Sequence, residues 1–344
     1  MGMISKMYEK NFLKRYDKDE AIPYYCPEDF PGLLCEPGSF NNSAGVSIRY
    51  FSYCYPGYDA GKLILFCPGM GPGHTAYLAE IETICRAGLR VLTLDYTGCG
   101  SSGGEKMDSV NAPTRDAVEL TELLRPEAEL IPVGHSLGGY TALNIAHLND
   151  SVKRAVIISG FVSIADEMMG FVKLRLLANR VRRFEKKLDP RYGALDNLDY
   201  LASTPDKILW FHSTDDPMVN YKYNAGKVLK LDNPNLRVVT VEGKKHNPQY
   251  TSEALGTMNA WIGEYYRRIA EKQLETPEAR KDYFSDKPIG RMTEQDPAVW
   301  DEIIKFINAY ATATVRMISR LMKTMPRSVR GQMYRKPGKC GGRN

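Results

Sequence analysis

Short, mostly apolar runs alternate along the chain with stretches whose apolar positions recur every three or four residues. The runs KLILFC (62–67), LRVLTLDY (89–96), AELIPVGHS (128–136), KRAVIISG (153–160), KILWFHS (207–213) and LRVVTVEG (236–243) are each bounded by Gly, Pro or polar residues. Such runs suit strands buried on both faces. Residues 46–55 are rich in β-branched and aromatic side chains and form a further strand candidate. Between the strands, 76–87, 113–124 and 138–148 carry apolar positions at helical spacing, with Gly88 closing the first and Pro113 opening the second. Strand and helix alternating in this way predict βαβ units, a mainly parallel sheet and helices on both faces. The rhythm breaks at Phe161. Residues 161–204 read as helices only, so they form an insertion between two strands of one sheet. Ahead of the alternation, 1–44 read as a polar arm with a short helix near 5–16, punctuated by Pro23, Pro27, Pro31 and Pro37. The body spans 45–275, and 276–344 form a C-terminal extension.

In that extension Trp300, Ile304, Ile307, Ala311, Thr314, Ile318, Leu321 and Met325 repeat at spacings of four and three. The pattern predicts one long amphipathic helix with a coiled-coil-like seam, followed by a basic tail. It could pack on the body, pair with a second copy or lie on a membrane surface.

The chain has 344 residues, 43% of them hydrophobic and 25% charged, an ordinary balance for a globular protein. Its net charge of +5 is too mild to imply a nucleic-acid partner. The charge is uneven, because nine basic and no acidic residues follow Ala311, which leaves −4 for everything before. The seven cysteines are scattered, with no C-x-x-C pair, so free thiols in a cytoplasmic setting are expected and a metal site is not. No run reaches the 18 apolar residues of a membrane span, and the first 20 residues lack the apolar core of a signal peptide.

Gly134-His135-Ser136-Leu137-Gly138-Gly139 carries the most chemistry. It fits G-x-S-x-G and falls between a strand and a helix. A serine at so sharp a turn needs small neighbours, and the turn presents its hydroxyl beside a helix N-terminus. The competing reading is a plain Gly-rich turn. A serine nucleophile needs a base, and the base needs an orienting acid. Of the five histidines, His135 adjoins the serine and points elsewhere, His147 lies late in a helix, and His212 lies within a strand. His74 belongs to no motif. His246 stands in a polar loop beyond the last strand and is the candidate base. The acid is sought on the loop after 207–213, where Asp215 and Asp216 are the two choices. The order Ser, Asp, His is that of α/β-hydrolases.

These residues identify a resemblance to the α/β-hydrolase superfamily, nearest to its serine-aminopeptidase-like and monoacylglycerol-lipase-like branch, over about 45–270. The resemblance implies an α/β fold with a mainly parallel sheet, helices on both faces and a helical cap at 161–204. In its acid loop, Ser213-Thr214-Asp215-Asp216-Pro217-Met218-Val219 aligns Asp216 as the acid, with Asp215 as the fallback. Asp95-x-x-Gly98-x-Gly100-x-Ser102 resembles a turn that is structural in the family. The oxyanion donors would be the backbone N–H groups of Leu137 and Met70. Here Pro68-Gly69-Met70-Gly71 replaces the usual His-Gly-x, and Pro132 stands in the strand before the elbow, where a local distortion is expected.

Gly98-Cys99-Gly100-Ser101-Ser102-Gly103 also fits G-x-G-x-x-G, but no helix opens at Gly103, which argues against a dinucleotide. The expected function is therefore cofactor-free hydrolysis of a small carboxylic ester with a hydrophobic acyl group, monoacylglycerol- or lysolipid-like. The apolar insertion (Met168, Met169, Phe171, Leu174 and others) points the same way. A thioesterase or small-peptide aminopeptidase would use the same three residues. A non-catalytic interaction protein working through the C-terminal helix is the alternative from another class.

Overall fold

The computed structural model describes residues 3–19 and 21–309. Its centre is one eight-stranded sheet in the order β1-β2-β4-β3-β5-β6-β7-β8. The strands are β1 (Leu34–Asn41), β2 (Ser47–Cys54), β3 (Lys62–Cys67), β4 (Arg90–Leu94), β5 (Glu129–His135), β6 (Arg154–Ile158), β7 (Lys207–Ser213) and β8 (Leu236–Val241). From β4 to β8 all neighbours run parallel, and β1 and β2 form the antiparallel edge. The central strands β3, β5 and β6 are buried along nearly every residue, as both-face coverage requires.

The N-terminal helix is α1 (Met3–Phe12). The crossovers are α2 (Leu78–Arg86), α3 (Ala112–Leu124) and α4 (Leu137–Leu148). The block between β6 and β7 is helical, with α5 (Ile164–Val172), α6 (Arg175–Leu188) and α7 (Leu198–Ser203). A short α8 (Ala225–Val228) precedes β8, and α9 (Ser252–Ala270), α10 (Pro277–Ser285) and α11 (Ile289–Met292) follow it. This is the mainly parallel, helix-covered sheet that the strand–helix rhythm predicted, in the α/β-hydrolase arrangement that the resemblance implied.

Two expectations need correction. First, the arm over 1–44 is not separate from the sheet, because β1 pairs with β2 from Leu34↔Cys54 to Asn41↔Ser47. Pro37 is tolerated there because β1 is an edge strand and spares one row of donors. Second, the body does not stop at 275. Residues up to 303 form one compact unit, and those from 304 onward a second. Lys244 Nζ lies 2.9 Å from Asp296 Oδ2, and the Tyr25 and Thr293 hydroxyls are 2.7 Å apart. Trp300 is buried and donates its indole N–H to Gln295 Oε1 at 2.7 Å. Residues 297–309 are helical, and the rest of the seam, Ala311 to Met325, lies with the basic tail outside the described residues. Pro132 stays within β5, and the local effect expected there falls on one ladder only. The proline pairs opposite Leu65 of β3, and the ladder to β6 begins only at Val133.

Candidate active site

Four strands end on one side of the sheet and deliver the site, as open α/β sheets usually do at their carboxyl edge. Ser136 follows β5 directly and caps α4, with φ 58° and ψ −122°. A non-glycine residue in that region is strained. The flanking glycines allow it, since a Cβ on Gly134 would fall inside the Gly138 carbonyl and one on Gly138 inside the Cys67 carbonyl. The Ser136 amide donates to Ile158 O at 2.9 Å, which fixes the turn on β6. The Ser136 hydroxyl has no hydrogen-bond partner among the described residues and faces a cavity of about 520 Å³.

His246 lines the same cavity. Its Nδ1 lies 2.8 Å from Asp216 Oδ2. Asp216 Oδ1 accepts the Met218 and Val219 amides at 2.8 and 2.9 Å. Burial alone would push this carboxyl up, but the His246 bond and the backbone donor of Val219 outweigh it and hold it below the ordinary carboxylate range. Asp216 is therefore an anion, His246 donates through Nδ1–H, and its Nε2 is left as the basic nitrogen. Asp215 faces away. The Ser213 hydroxyl at 2.5 Å and then Lys245, with Nζ at 3.1 Å, draw its pKa to about 2.

Two histidines dismissed at the level of sequence support this pair. The ring of His135 is buried and donates from Nε2 to the His246 carbonyl at 2.8 Å, with Nδ1 3.0 Å from the Tyr77 hydroxyl. Burial, then the neighbouring His246, lower its pKa to about 3, so it stays neutral. It fixes the backbone of His246 from the residue beside the serine. His212 is fully buried in β7, donates from Nε2 to Val219 O at 2.8 Å, and stands 3.4 Å from Asp216 Oδ2. Nothing in the sequence marked either contact, because both depend on the register of β5, β7 and the 246 loop.

Met70 and Leu137 also line the cavity. Neither backbone amide donates a hydrogen bond within the described residues, the state in which an oxyanion donor must wait. The Tyr16 hydroxyl contacts Met70 Sδ at 2.9 Å. The Asp95 turn is structural, as the resemblance implied. Asp95 Oδ2 accepts the Ser101 amide and hydroxyl at 2.8 and 2.6 Å, while Oδ1 holds His74 Nδ1 at 2.8 Å.

Above the serine, the walls come from the helical block (Phe161, Ile164, Met168, Phe171) and, unexpectedly, from α1 (Tyr8, Phe12). Tyr8 packs edge-on against Phe184 and Phe12 against Phe171. Arg15 pins the segment by donating to Gly104 O at 2.7 Å and Gly100 O at 2.9 Å. The lining is mostly apolar. Among the polar residues that also line it, Asn11, Lys14 and Asn247 included, Glu167 brings a carboxyl, buried and accepting from Asn224 Nδ2 at 3.2 Å. Burial, then the Asp216 charge, raise its pKa to about 8. No group of three or more His, Cys, Asp or Glu among the described residues could hold a metal ion.

Residues 59–240, more than half of the chain, match the family described as serine aminopeptidase, S33. The chain belongs to this family of α/β-hydrolases. The match takes in Ser136 and Asp216 and ends six residues before His246. A probable esterase of rice, PIR7A from Oryza sativa, is 29% identical over 115 residues, which is 33% of this chain and 44% of that protein. The chain thus aligns with less than half of its rice relative. Among solved α/β-hydrolase structures, the Pyrococcus furiosus esterase Pf2001 matches with TM-score 0.52 at 15% identity, over 74% of this chain and 98% of that one. Est1E from Butyrivibrio proteoclasticus, solved with ferulic acid bound, matches with TM-score 0.51 at 16% identity, over 68% and 99%. At such identities these two likenesses speak for the fold alone.

Proposed function

We propose that this α/β-hydrolase is a serine hydrolase that cleaves a small carboxylic ester with a hydrophobic acyl group, monoacylglycerol- or lysolipid-like. The observation that carries the reading is the shared cavity. A strained, unpartnered serine and an Asp216-bound histidine line one largely apolar chamber of about 520 Å³, ample for an acyl chain. His246 Nε2 takes the Ser136 proton as Oγ attacks the ester carbonyl. The Leu137 and Met70 amides receive the oxyanion. The tetrahedral adduct collapses, the alcohol leaves with the proton from His246, and the acyl group stays on Ser136. Water, deprotonated by His246, then releases the acid and restores the serine. In this reading the Ser136 hydroxyl, unpartnered among the described residues, hydrogen-bonds His246 Nε2 once substrate is bound. None of these steps uses a cofactor.

Glu167 favours a second reading on the same three residues. A small-peptide aminopeptidase needs a carboxylate near the scissile bond to hold the substrate ammonium, and Glu167 is a carboxyl in the chamber. Its pKa, raised by burial and then by the Asp216 charge to about 8, speaks for the ester, since a protonated carboxyl is a poor partner for an ammonium group.

The two readings separate in one assay, p-nitrophenyl esters from acetyl to decanoyl beside aminoacyl p-nitroanilides. The ester reading predicts kcat/KM rising with chain length, anilides untouched, and a loss of about a million-fold in Ser136→Ala. Turnover of the anilides alone would hand the site to the aminopeptidase reading. Turnover of neither would favour an interaction protein.

A further inference from the structure

The corner where α5 turns into α6 breaks the usual rule for surfaces. Phe171, Leu174 and Leu176 are 50%, 53% and 58% exposed within six residues. Scattered apolar residues on a surface are ordinary, but a contiguous group rimmed by charge marks a binding surface. Phe171 also lines the catalytic cavity, so the group sits at an edge of that chamber. Behind it, α6 presents a cationic face. Over 171–188 the only acidic residue is Glu185, which is fully buried and accepts from the Ser109 hydroxyl and Asn111 amide. Arg175 is paired with Asp166. Lys173, Arg180, Arg182, Arg183, Lys186 and Lys187 enter no ion pair among the described residues. An ordinary solvated helix face mixes both signs, and this one does not.

We propose that the α5–α6 corner docks on an anionic lipid surface, with Phe171, Leu174 and Leu176 entering the interface and the α6 cations lying over the headgroups. The occupant follows from complementarity. Apolar side chains alone would suit many partners and cations alone any polyanion. Three exposed apolar groups inside a single-sign rim suit a layer that is apolar beneath and negative above. The contact to the chamber through Phe171 would bring an acyl chain leaving that layer to the serine. Docking goes beyond the ester reading and is scored by binding, so the two can fail separately.

The test is co-sedimentation of the full chain with vesicles of phosphatidylcholine alone and of phosphatidylcholine with about a third phosphatidylserine, at low and high salt. Binding is expected to the anionic vesicles only and to fade with salt. Arg180→Gln/Arg183→Gln/Lys187→Gln should weaken it by about a hundred-fold, roughly five-fold per cation. Leu174→Ser/Leu176→Ser should weaken vesicle binding several-fold while leaving heparin binding unchanged. All five residues are exposed or solvent-facing, so the fold should survive, and circular dichroism checks that. Three results would overturn the proposal: no binding to anionic vesicles; binding unchanged in both variants, which would place it in the basic tail from 312; or a response to the charge variant alone, shared equally by heparin.

Discussion

Ser136 is where local chemistry and global fold meet. Its φ of 58° is affordable only because Gly134 and Gly138 leave no Cβ in the turn, and that is why three residues of a hexapeptide were enough to find the elbow. The acid was harder, because Asp215 and Asp216 are adjacent and chemically identical. Their partners separate them: Asp216 receives His246 and two backbone amides, and Asp215 receives Ser213 and Lys245. Asp216→Asn should therefore cost about ten-thousand-fold in kcat by spoiling the histidine tautomer, with KM little changed. Asp215→Asn should stay within about three-fold of the parent. Equal losses in the two variants, measured on the same ester, would mean that the relay is misassigned. His135 and Tyr77 were illegible for a different reason. His135 bonds a backbone carbonyl 111 residues away, Tyr77 bonds the His135 ring 58 residues away, and no local pattern announces either bond.

Among the elements, the buried strands and their crossover helices were legible from apolar runs and 3.6-residue spacing. β1 was not. Its sequence, LCEPGSFN, holds a proline and a glycine, and its burial follows no clean alternation. Only pairing with β2 makes it a strand. α1 is amphipathic enough to read as a helix, but its destination beside Phe171 and Phe184 is a tertiary fact. α2 carries the clearest electrostatic consequence. Its Glu80 is almost fully buried, accepts from the Tyr250 hydroxyl at 2.7 Å, and buttresses the segment that follows His246. Burial raises its pKa from 4.5 to about 7. A carboxyl whose folded pKa is raised stabilises the fold most below about 4.5, where both states are protonated, and that contribution is lost as pH climbs to about 7. Glu80→Gln removes the titration. The stability of the parent relative to Glu80→Gln should thus fall between pH 4.5 and 8, by at most about 3 kcal/mol. Urea denaturation at several pH values measures it, and a difference flat with pH would contradict the burial account.

At the scale of the whole molecule, one sheet gathers the carboxyl ends of β3, β5, β7 and β8 and so assembles residues spread from Met70 to His246. The class of fold was readable because alternating elements leave few topologies. The boundaries were not. The proline-rich arm contributes a strand and a roof for the chamber, and residues 276–303 belong to the compact body. The arm read as polar and irregular, and the apolar seam of the extension left its packing partner open, while specific bonds such as Lys244–Asp296 tie residues 276–303 to the body. None of the described helices is long and apolar enough to cross a membrane. The central claim is that this architecture activates one serine out of all those in the chain. Reaction with a fluorophosphonate probe tests it most directly, with intact mass and peptide mapping as the readout and Ser136→Ala as the control. The account predicts a single rapid adduct on Ser136 that is absent from the variant, and a folded protein that stays unlabelled, or is labelled equally in the variant, would contradict it.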